Sequence, residues 1–312
     1  MAELSEKQFE LKGVVFGWGC PVDVHQGGWN PGGKNTRNRD VEHPTRDGMR
    51  PGKDLAGPQT HAFSLFANQE NEHDAWATVE ALQYAWDADE ERKKAGEVLP
   101  LRYCIAGQTR RVYGRPRRWT PSSTETGVTG RIDIEADFVT VDQIVYEDEL
   151  QFETFPIAIP TDTTAGVVAP LVPPFSSAAG SSTTIYSITV GGTRPTPVWI
   201  TFKSPYGLAG ASVRVTERSK PVGAPADYRL TDWTAALRDP LGVSDEVTID
   251  ARPWITAATR SDGSGVRVSP RVTRIHELWL PPGGHSVAFT GNDPTGTATA
   301  TVSWRNARRS PR

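Results

Sequence analysis

Glu277-Leu278-Trp279-Leu280-Pro281-Pro282-Gly283-Gly284-His285-Ser286-Val287-Ala288-Phe289 runs into Thr290-Gly291-Asn292-Asp293-Pro294-Thr295-Gly296-Thr297-Ala298-Thr299-Ala300-Thr301-Val302-Ser303-Trp304-Arg305. Short apolar and Thr-rich runs are broken by Pro-Pro-Gly-Gly and by Asn-Asp-Pro, which are turn formers. The stretch reads as a strand, a turn, a strand, a turn and a closing strand that ends on Trp304-Arg305, an antiparallel β-meander. No helical period interrupts it.

Working back from this end, strands recur at roughly 10–15-residue intervals. They are expected at Thr184–Val190, Val198–Phe202, Val213–Thr216, Tyr228–Leu230, Val247–Asp250, Val266–Val268, Glu277–Leu280, Ser286–Phe289 and Thr297–Trp304. That spacing points to a β-sandwich or barrel over residues 184–312. Residues 155–183 are rich in Pro, Ala, Ser and Thr and are expected to be an extended linker. Residues 1–154 then form a first domain.

In that first domain Phe9–Phe16 partly alternates and reads as a strand. Gly17–Gly57 shows almost no apolar periodicity and is rich in Gly, Pro, Asn, Asp and Arg. Such a long irregular stretch is either a mobile loop or an arm that orders against a neighbouring subunit. His61–Asn68 is a strand. One helix follows over about residues 72–95: Asn71 or Asp74 can cap it, Trp76, Val79, Leu82 and Trp86 form one apolar stripe, and Gly96 stops it. Strands are expected again over Leu99–Ala106, Thr109–Trp119 and Gly130–Val141. The last of these alternates cleanly, with one face wet.

Composition sets outer limits. The 312 residues suit two domains. Apolar content is 37%, with 29 Gly and 25 Pro, which favours many short strands and turns over long helices. A net charge of −3 gives no global field to recruit nucleic acid or an anionic membrane. No run approaches the length of a membrane-spanning helix, so no membrane insertion is expected. Met1–Lys7 lacks the apolar segment of a secretory leader. With Cys20 and Cys104 the only cysteines, synthesis in a reducing cytoplasm fits, and both a bridge and two free thiols are compatible with the sequence. The ten Trp are many for this length, and Trp is enriched in interface cores.

The motifs that could carry chemistry are weak. Gly28-Trp29-Asn30-Pro31-Gly32-Gly33-Lys34-Asn35 resembles a phosphate-binding loop, but Asn35 stands where Ser or Thr must hold magnesium, and no helix follows. The six His form neither an HxxxH pair nor an HExxH motif, and Glu72-His73-Asp74 reads as the polar first turn of the helix. Asp133, Glu135 and Asp137 lie at i, i+2, i+4 on one strand face, which is the pattern of a solvated surface. No catalytic, metal or cofactor residue emerges, and the chain is not expected to be an enzyme. Arg110-Arg111 and Arg115-Pro116-Arg117-Arg118 form the densest basic patch, joined by Arg37 and Arg39 if the loop folds back. Nucleic-acid contact is one role for them. Bidentate pairing with carboxylates across a subunit interface is the preferred one, with Glu147-Asp148-Glu149 of the next subunit as counterpart. The candidate interface residues are Arg37, Arg39, Arg115, Arg117 and Arg118. Trp199, Trp233, Trp254, Trp279 and Trp304 of the second domain serve the core or stack on a sugar.

The terminal stretch also resembles the C-terminal signature of distal tail proteins of phages with long non-contractile tails. Further matches are Tyr113-Gly114-Arg115-Pro116, the long strand Ile132–Phe138 followed by Asp142 and Tyr146, Asp250-Ala251-Arg252-Pro253-Trp254, and Arg260-Ser261-Asp262-Gly263. Each is short, but their order spans nearly the whole chain. The closest flavour is that of minor tail proteins of actinobacteriophages. The resemblance implies a mainly β chain: an N-terminal split β-barrel with one helix, like tail-tube subunits, and a C-terminal galectin-like β-sandwich. It further implies a homo-hexameric ring at the distal tail tip of the virion, assembled in the host cytoplasm. That ring would join the tail tube protein to the tail-tip hub or baseplate, around the channel for the tape measure protein and for DNA as passing cargo. No cofactor is implied. The alternative from another class is a carbohydrate-binding adhesion module in the sandwich, with host surface polysaccharide as partner.

Overall fold

The computed structural model describes residues 3–33, 35–43, 45–122, 130–157, 184–220, 228–269, 273–293 and 295–309. The chain is mainly β and divides into two compact units, residues 1–148 with 307–312, and residues 149–306. The division falls before residue 149 rather than after 154, because Gln151–Pro156 pairs along its whole length with Thr299–Trp304 of the second unit. The final residues return to the first unit, where Ala307 and Arg308 pair with Tyr146 and Val145. Of the expected linker, residues 158–183 lie outside the described residues.

The first unit contains β1 (Gln8–Leu11), β2 (Val14–Gly17), β3 (Val22–Asn30), β4 (Thr36–Arg37), β5 (Val41–Glu42), β6 (Met49–Arg50), β7 (Leu55–Ala56) and β8 (Thr60–Asn68). Helices α1 (Glu72–Asp87) and α2 (Asp89–Lys93) come next, followed by β9 (Leu99–Ile105), β10 (Gln108–Ser122), β11 (Arg131–Thr140) and β12 (Val145–Glu147). The main sheet runs β2-β1-β9-β10-β11-β8-β3, with β12 also paired to β10. Its two ends, β2 and β3, do not pair with each other, so among the described residues the sheet is not a closed barrel.

Two sequence expectations are corrected here. Phe9–Phe16 is not one strand but the hairpin β1–β2. Lys12 and Gly13, at φ 49° and 84°, form its two-residue turn, and two positive φ angles are what a tight hairpin of twisted strands requires. Gly17–Gly57 is not irregular: β3 pairs with β8, β4 with β7, and β5 with β6. Apolar alternation failed to show β3 because the strand carries a large bulge. Between Val24 and Trp29 the partner on β8 moves only from Leu65 to Phe63, which throws the side-chain period out of step.

Asn71 caps α1, its Oδ1 accepting the Asp74 N–H at 2.9 Å. Ala75, Val79, Leu82 and Trp86 are buried, and the Trp86 ring meets Phe16, Phe63 and Trp119 at centroid distances of 6.1, 5.8 and 5.6 Å. The single helix expected over 72–95 breaks at Ala88, which is left-handed at φ 46°, ψ 44°. Arg92 Nη2 donates to the Trp86 carbonyl at 3.2 Å, so a guanidinium satisfies a helix-end acceptor that a continuing helix would otherwise take up.

The second unit contains β13 (Gln151–Pro156), β14 (Ile185–Val190), β15 (Thr196–Pro197), β16 (Trp199–Ser204), β17 (Ala209–Glu217), β18 (Asp232–Ala236), β19 (Asp245–Asp250), β20 (Ala257–Arg260), β21 (Trp279–Leu280), β22 (Gly283–Asn292) and β23 (Thr299–Trp304). The chain's last strand, β24 (Ala307–Arg308), belongs to the first unit. A five-stranded sheet, β13-β23-β16-β19-β20, faces a four-stranded one, β14-β22-β17-β18. The inward rows of both, including Ile200, Phe202, Val247, Ile249, Val213, Val215, Val287 and Phe289, make one buried core, and the Phe202 and Phe289 rings lie 6.0 Å apart. This is sandwich packing. The expected strands at Tyr228–Leu230 and Val266–Val268 are absent as ladders: β18 and β20 are the strands nearby, and Val268 makes only an isolated bridge to Leu237.

The terminal stretch is not a meander. β21 pairs with β15, β22 with β14 and β17, and β23 with β13 and β16, so the three strands lie in three different sheets. The chain crosses from one layer of the sandwich to the other at Asp293. Its carboxylate accepts from Thr295 N (2.8 Å), Thr295 Oγ1 (2.7 Å), Thr297 N (2.8 Å) and Ala298 N (2.7 Å). Burial opposes the charge, but these donors outweigh it and hold the carboxyl below its ordinary range. Asp293→Ala strands the buried Ala298 N–H and is expected to cost the second unit about 3 kcal/mol in chemical denaturation, with Asp293→Asn losing less.

Candidate functional site

From Gly33 to Asp54 every described residue is exposed, although the segment is ordered as the nested ladders β4–β7 and β5–β6. At its base Gln143 Nε2 donates to the carbonyls of Asn35 (2.6 Å) and Gly57 (3.1 Å), fixing where the arm leaves the unit. A two-stranded ladder without a core is marginal in water by itself. The arm bears exposed ladder edges and long charged side chains. Val41 and Met49 are among the exposed large apolar residues.

Gly28 of the phosphate-loop-like stretch lies in β3. A side chain there would come 2.6 Å from the Ser64 carbonyl, so close backbone approach accounts for this glycine. Lys34 lies outside the described residues.

The candidate arginines separate into groups. Arg37 and Arg39 are exposed on the arm, and Arg117 is exposed at the β10 bulge; none of the three has an ion pair among the described residues. Arg118 is exposed and donates to Thr120 Oγ1 at 3.4 Å. Arg115 is committed internally, Nε to the Glu97 carbonyl at 2.7 Å and Nη2 to the Lys94 carbonyl at 2.5 Å. Arg110 and Arg111 are buried.

Two of the three carboxylates expected to reach across to a neighbour, Glu147 and Asp148, pair within the first unit, while Glu149 is exposed. Asp148 accepts from Arg102 Nε (3.0 Å) and Nη2 (2.7 Å) and from Arg111 Nε (2.8 Å), while Arg102 also pairs with Glu10. Glu147 accepts from Arg308 Nε at 2.7 Å on β24. Glu10, Arg102 and Arg111 are cross-strand neighbours on β1, β9 and β10. A register row, which one-dimensional spacing does not display, assembles the network.

The five tryptophans of the second unit are engaged. Trp233 and Trp304 are 3% exposed. Trp233 Nε1 donates to the Trp279 carbonyl and Trp279 Nε1 to that of His276, both at 2.8 Å. Trp199 and Trp254 flank the Arg252 guanidinium at 4.9 and 5.9 Å. The adhesion alternative therefore finds no open indole there. The exposed tryptophan is Trp18, 66% exposed, in the first unit. Cys20 and Cys104 are free thiols.

His61, on β8 beside Trp29 (ring centroids 5.9 Å apart), is buried, and burial lowers its pKa from 6.5 to about 4. The imidazole is neutral in the fold and protonates more readily in the unfolded chain. Stability is therefore full above the ordinary pKa and falls as pH drops from 6.5 towards 4, by up to about 3 kcal/mol. Urea titrations at pH 7 and pH 4.5 are expected to show this loss in the native chain and a smaller one in His61→Phe.

Fold and surface together define a two-unit, mainly β chain whose first unit carries an exposed two-ladder arm. No family model matches the sequence, and no curated protein matches it. The solved structures that its fold is similar to include phage hub and baseplate proteins. One is the SPP1 Dit protein, described as a paradigm of the hub adsorption apparatus in phages infecting Gram-positive bacteria: 9% identity, 96% of this chain and 93% of that chain covered, TM-score 0.49. Another is the phage P2 baseplate in its activated conformation with calcium, at 13% identity, with 95% and 97% covered and a TM-score of 0.46.

Proposed function

We propose that this chain is a structural protein of a phage tail tip. In this proposal six copies close into a ring at the distal end of a long non-contractile tail, joining tube to hub around the channel for the tape measure protein and DNA. The order of motifs along the whole chain supports it. The observation that carries it is the arm: nested ladders whose described residues from Gly33 to Asp54 are all exposed, which a neighbouring copy would cover. Head-to-tail contacts in a closed ring hide such edges on every subunit.

Light scattering with electron microscopy of the same peak tests this. The native chain is expected as an open-centred ring of six. A variant with residues 34–54 replaced by a Gly-Ser turn is expected to be monomeric and to keep its far-UV spectrum. A native chain that stays monomeric, and gains no mass with tube or hub proteins, would sink the proposal.

A further inference from the structure

A cleft of about 710 Å³ opens beside the free ends of the first unit's main sheet, lined by Lys7, Trp18, Asp23, Gln26, Trp29 and Phe66 among others. The volume lies within the range of small-ligand sites. We propose that it binds a saccharide, with Trp18 as the stacking platform.

The platform is built rather than incidental. The Trp18 N–H donates to the Lys7 carbonyl at 3.2 Å, Gln8 Nε2 donates to the Trp18 carbonyl at 3.1 Å, and the Cys20 N–H donates to the Gly17 carbonyl at 2.9 Å. Gly17 stands at φ 107°, where a side chain would collide with the Lys7 carbonyl, so the backbones can approach only because residue 17 is glycine. Lys7 itself is left-handed at φ 62°, a costly conformation, and its ammonium lies over one face of the Trp18 ring, 5.6 Å from the centroid. These bonds pin the main chain that carries Trp18, so its indole projects into water from a fixed base.

The opposite wall comes from Asp23–Gly27 of β3, where the bulge after Val24 turns His25–Gly28 away from the regular ladder. His25 is fixed there, Nε2 against Asp133 Oδ1 at 3.1 Å and its ring 4.8 Å from Phe66. Around the rim Lys7 has no ion pair and the Gln26 side chain no hydrogen bond among the described residues. Asp23 spends Oδ1 on the Val24 N–H at 2.6 Å. An ammonium, an amide and a carboxylate edge thus surround an apolar indole face. A sugar ring matches both parts, since its C–H face stacks on the indole while its hydroxyls both donate to and accept from the rim.

The site does not depend on the tail-tip proposal, and its test reads a different quantity. The full chain is titrated with maltohexaose, N-acetylchitotetraose and galactotetraose, followed by calorimetry and indole fluorescence. Saturable binding of at least one is expected, weakened about tenfold or more by Trp18→Ala. Trp18→Tyr should retain most of it, Gln26→Ala should weaken it a few-fold, and Trp254→Phe should leave it unchanged. Trp18 is exposed, so Trp18→Ala should melt at the native temperature. No saturable binding to any of the three sugars would overturn the site, as would binding indifferent to Trp18. A Trp18→Ala chain that binds no sugar differently but loses assembled mass would instead make the cleft a protein contact.

Discussion

Asp148→Ala is expected to lower the stability of the first unit by about 3–5 kcal/mol, because it leaves two buried guanidiniums without their shared carboxylate. Arg102 and Arg111 are 6% and 5% exposed, and Asp148 is their common acceptor. Arg102 also pairs with Glu10, whose charge remains when Asp148 is removed. Asp148→Asn keeps the shape and removes the charge, and should fall between native and Ala. Burial disfavours the Asp148 charge, but bonds and charge from the two arginines outweigh it and lower the pKa. The contribution is therefore present above the ordinary carboxylate pKa and is lost as pH falls through the lowered one. Urea midpoints of native and Asp148→Ala chains, compared at neutral and at strongly acidic pH, check both parts: the gap should be wide at neutral pH and narrow in acid.

Trp86→Ala should cost about 3–5 kcal/mol through the cavity it leaves between helix and sheet. Trp86 is fully buried and is the point where α1 meets β2, β8 and β10, through Phe16, Phe63 and Trp119. Trp86→Phe should lose less, because part of the ring contact survives. A chain that unfolds in its first unit before its second, seen as two separated denaturation transitions, is the expected signature, since Trp86 belongs to the first unit's core alone. An unchanged single transition for Trp86→Ala would contradict this account of what holds α1 in place.

Much of the fold was legible because much of it is local. β11 alternates over Arg131–Thr140, so its wet face, with Asp133, Glu135 and Asp137, could be read directly. The Asn71 cap and the Val79, Leu82, Trp86 stripe made α1 readable in the same way. The helix break at Ala88 was not readable, because its cause is Arg92 reaching the Trp86 and Pro116 carbonyls in the fold. The candidate site was less legible. Arg37 and Arg39 are exposed on the arm, but runs of adjacent arginines do not reveal that Arg110 and Arg111 are buried while Arg117 and Arg118 stay in solvent. The exposed tryptophan, Trp18, lies in the first unit and not among the five of the second, since exposure is set by what packs nearby and not by residue type.

Residues close in the chain suffice for a mainly β chain, one substantial helix, and a turn after Asn292, whereas Gly283 and Gly284, read as part of a turn, begin β22. The first three follow from periodicity, capping and turn chemistry. Only the tertiary structure decided which strands pair. It sent β21, β22 and β23 into three sheets, returned β24 to the first unit, and aligned Glu10, Arg102 and Arg111 in one row with Asp148 beneath them. Strand pairing joins residues far apart in sequence, and a turn fixes where the chain bends without fixing which edge or layer it bends towards.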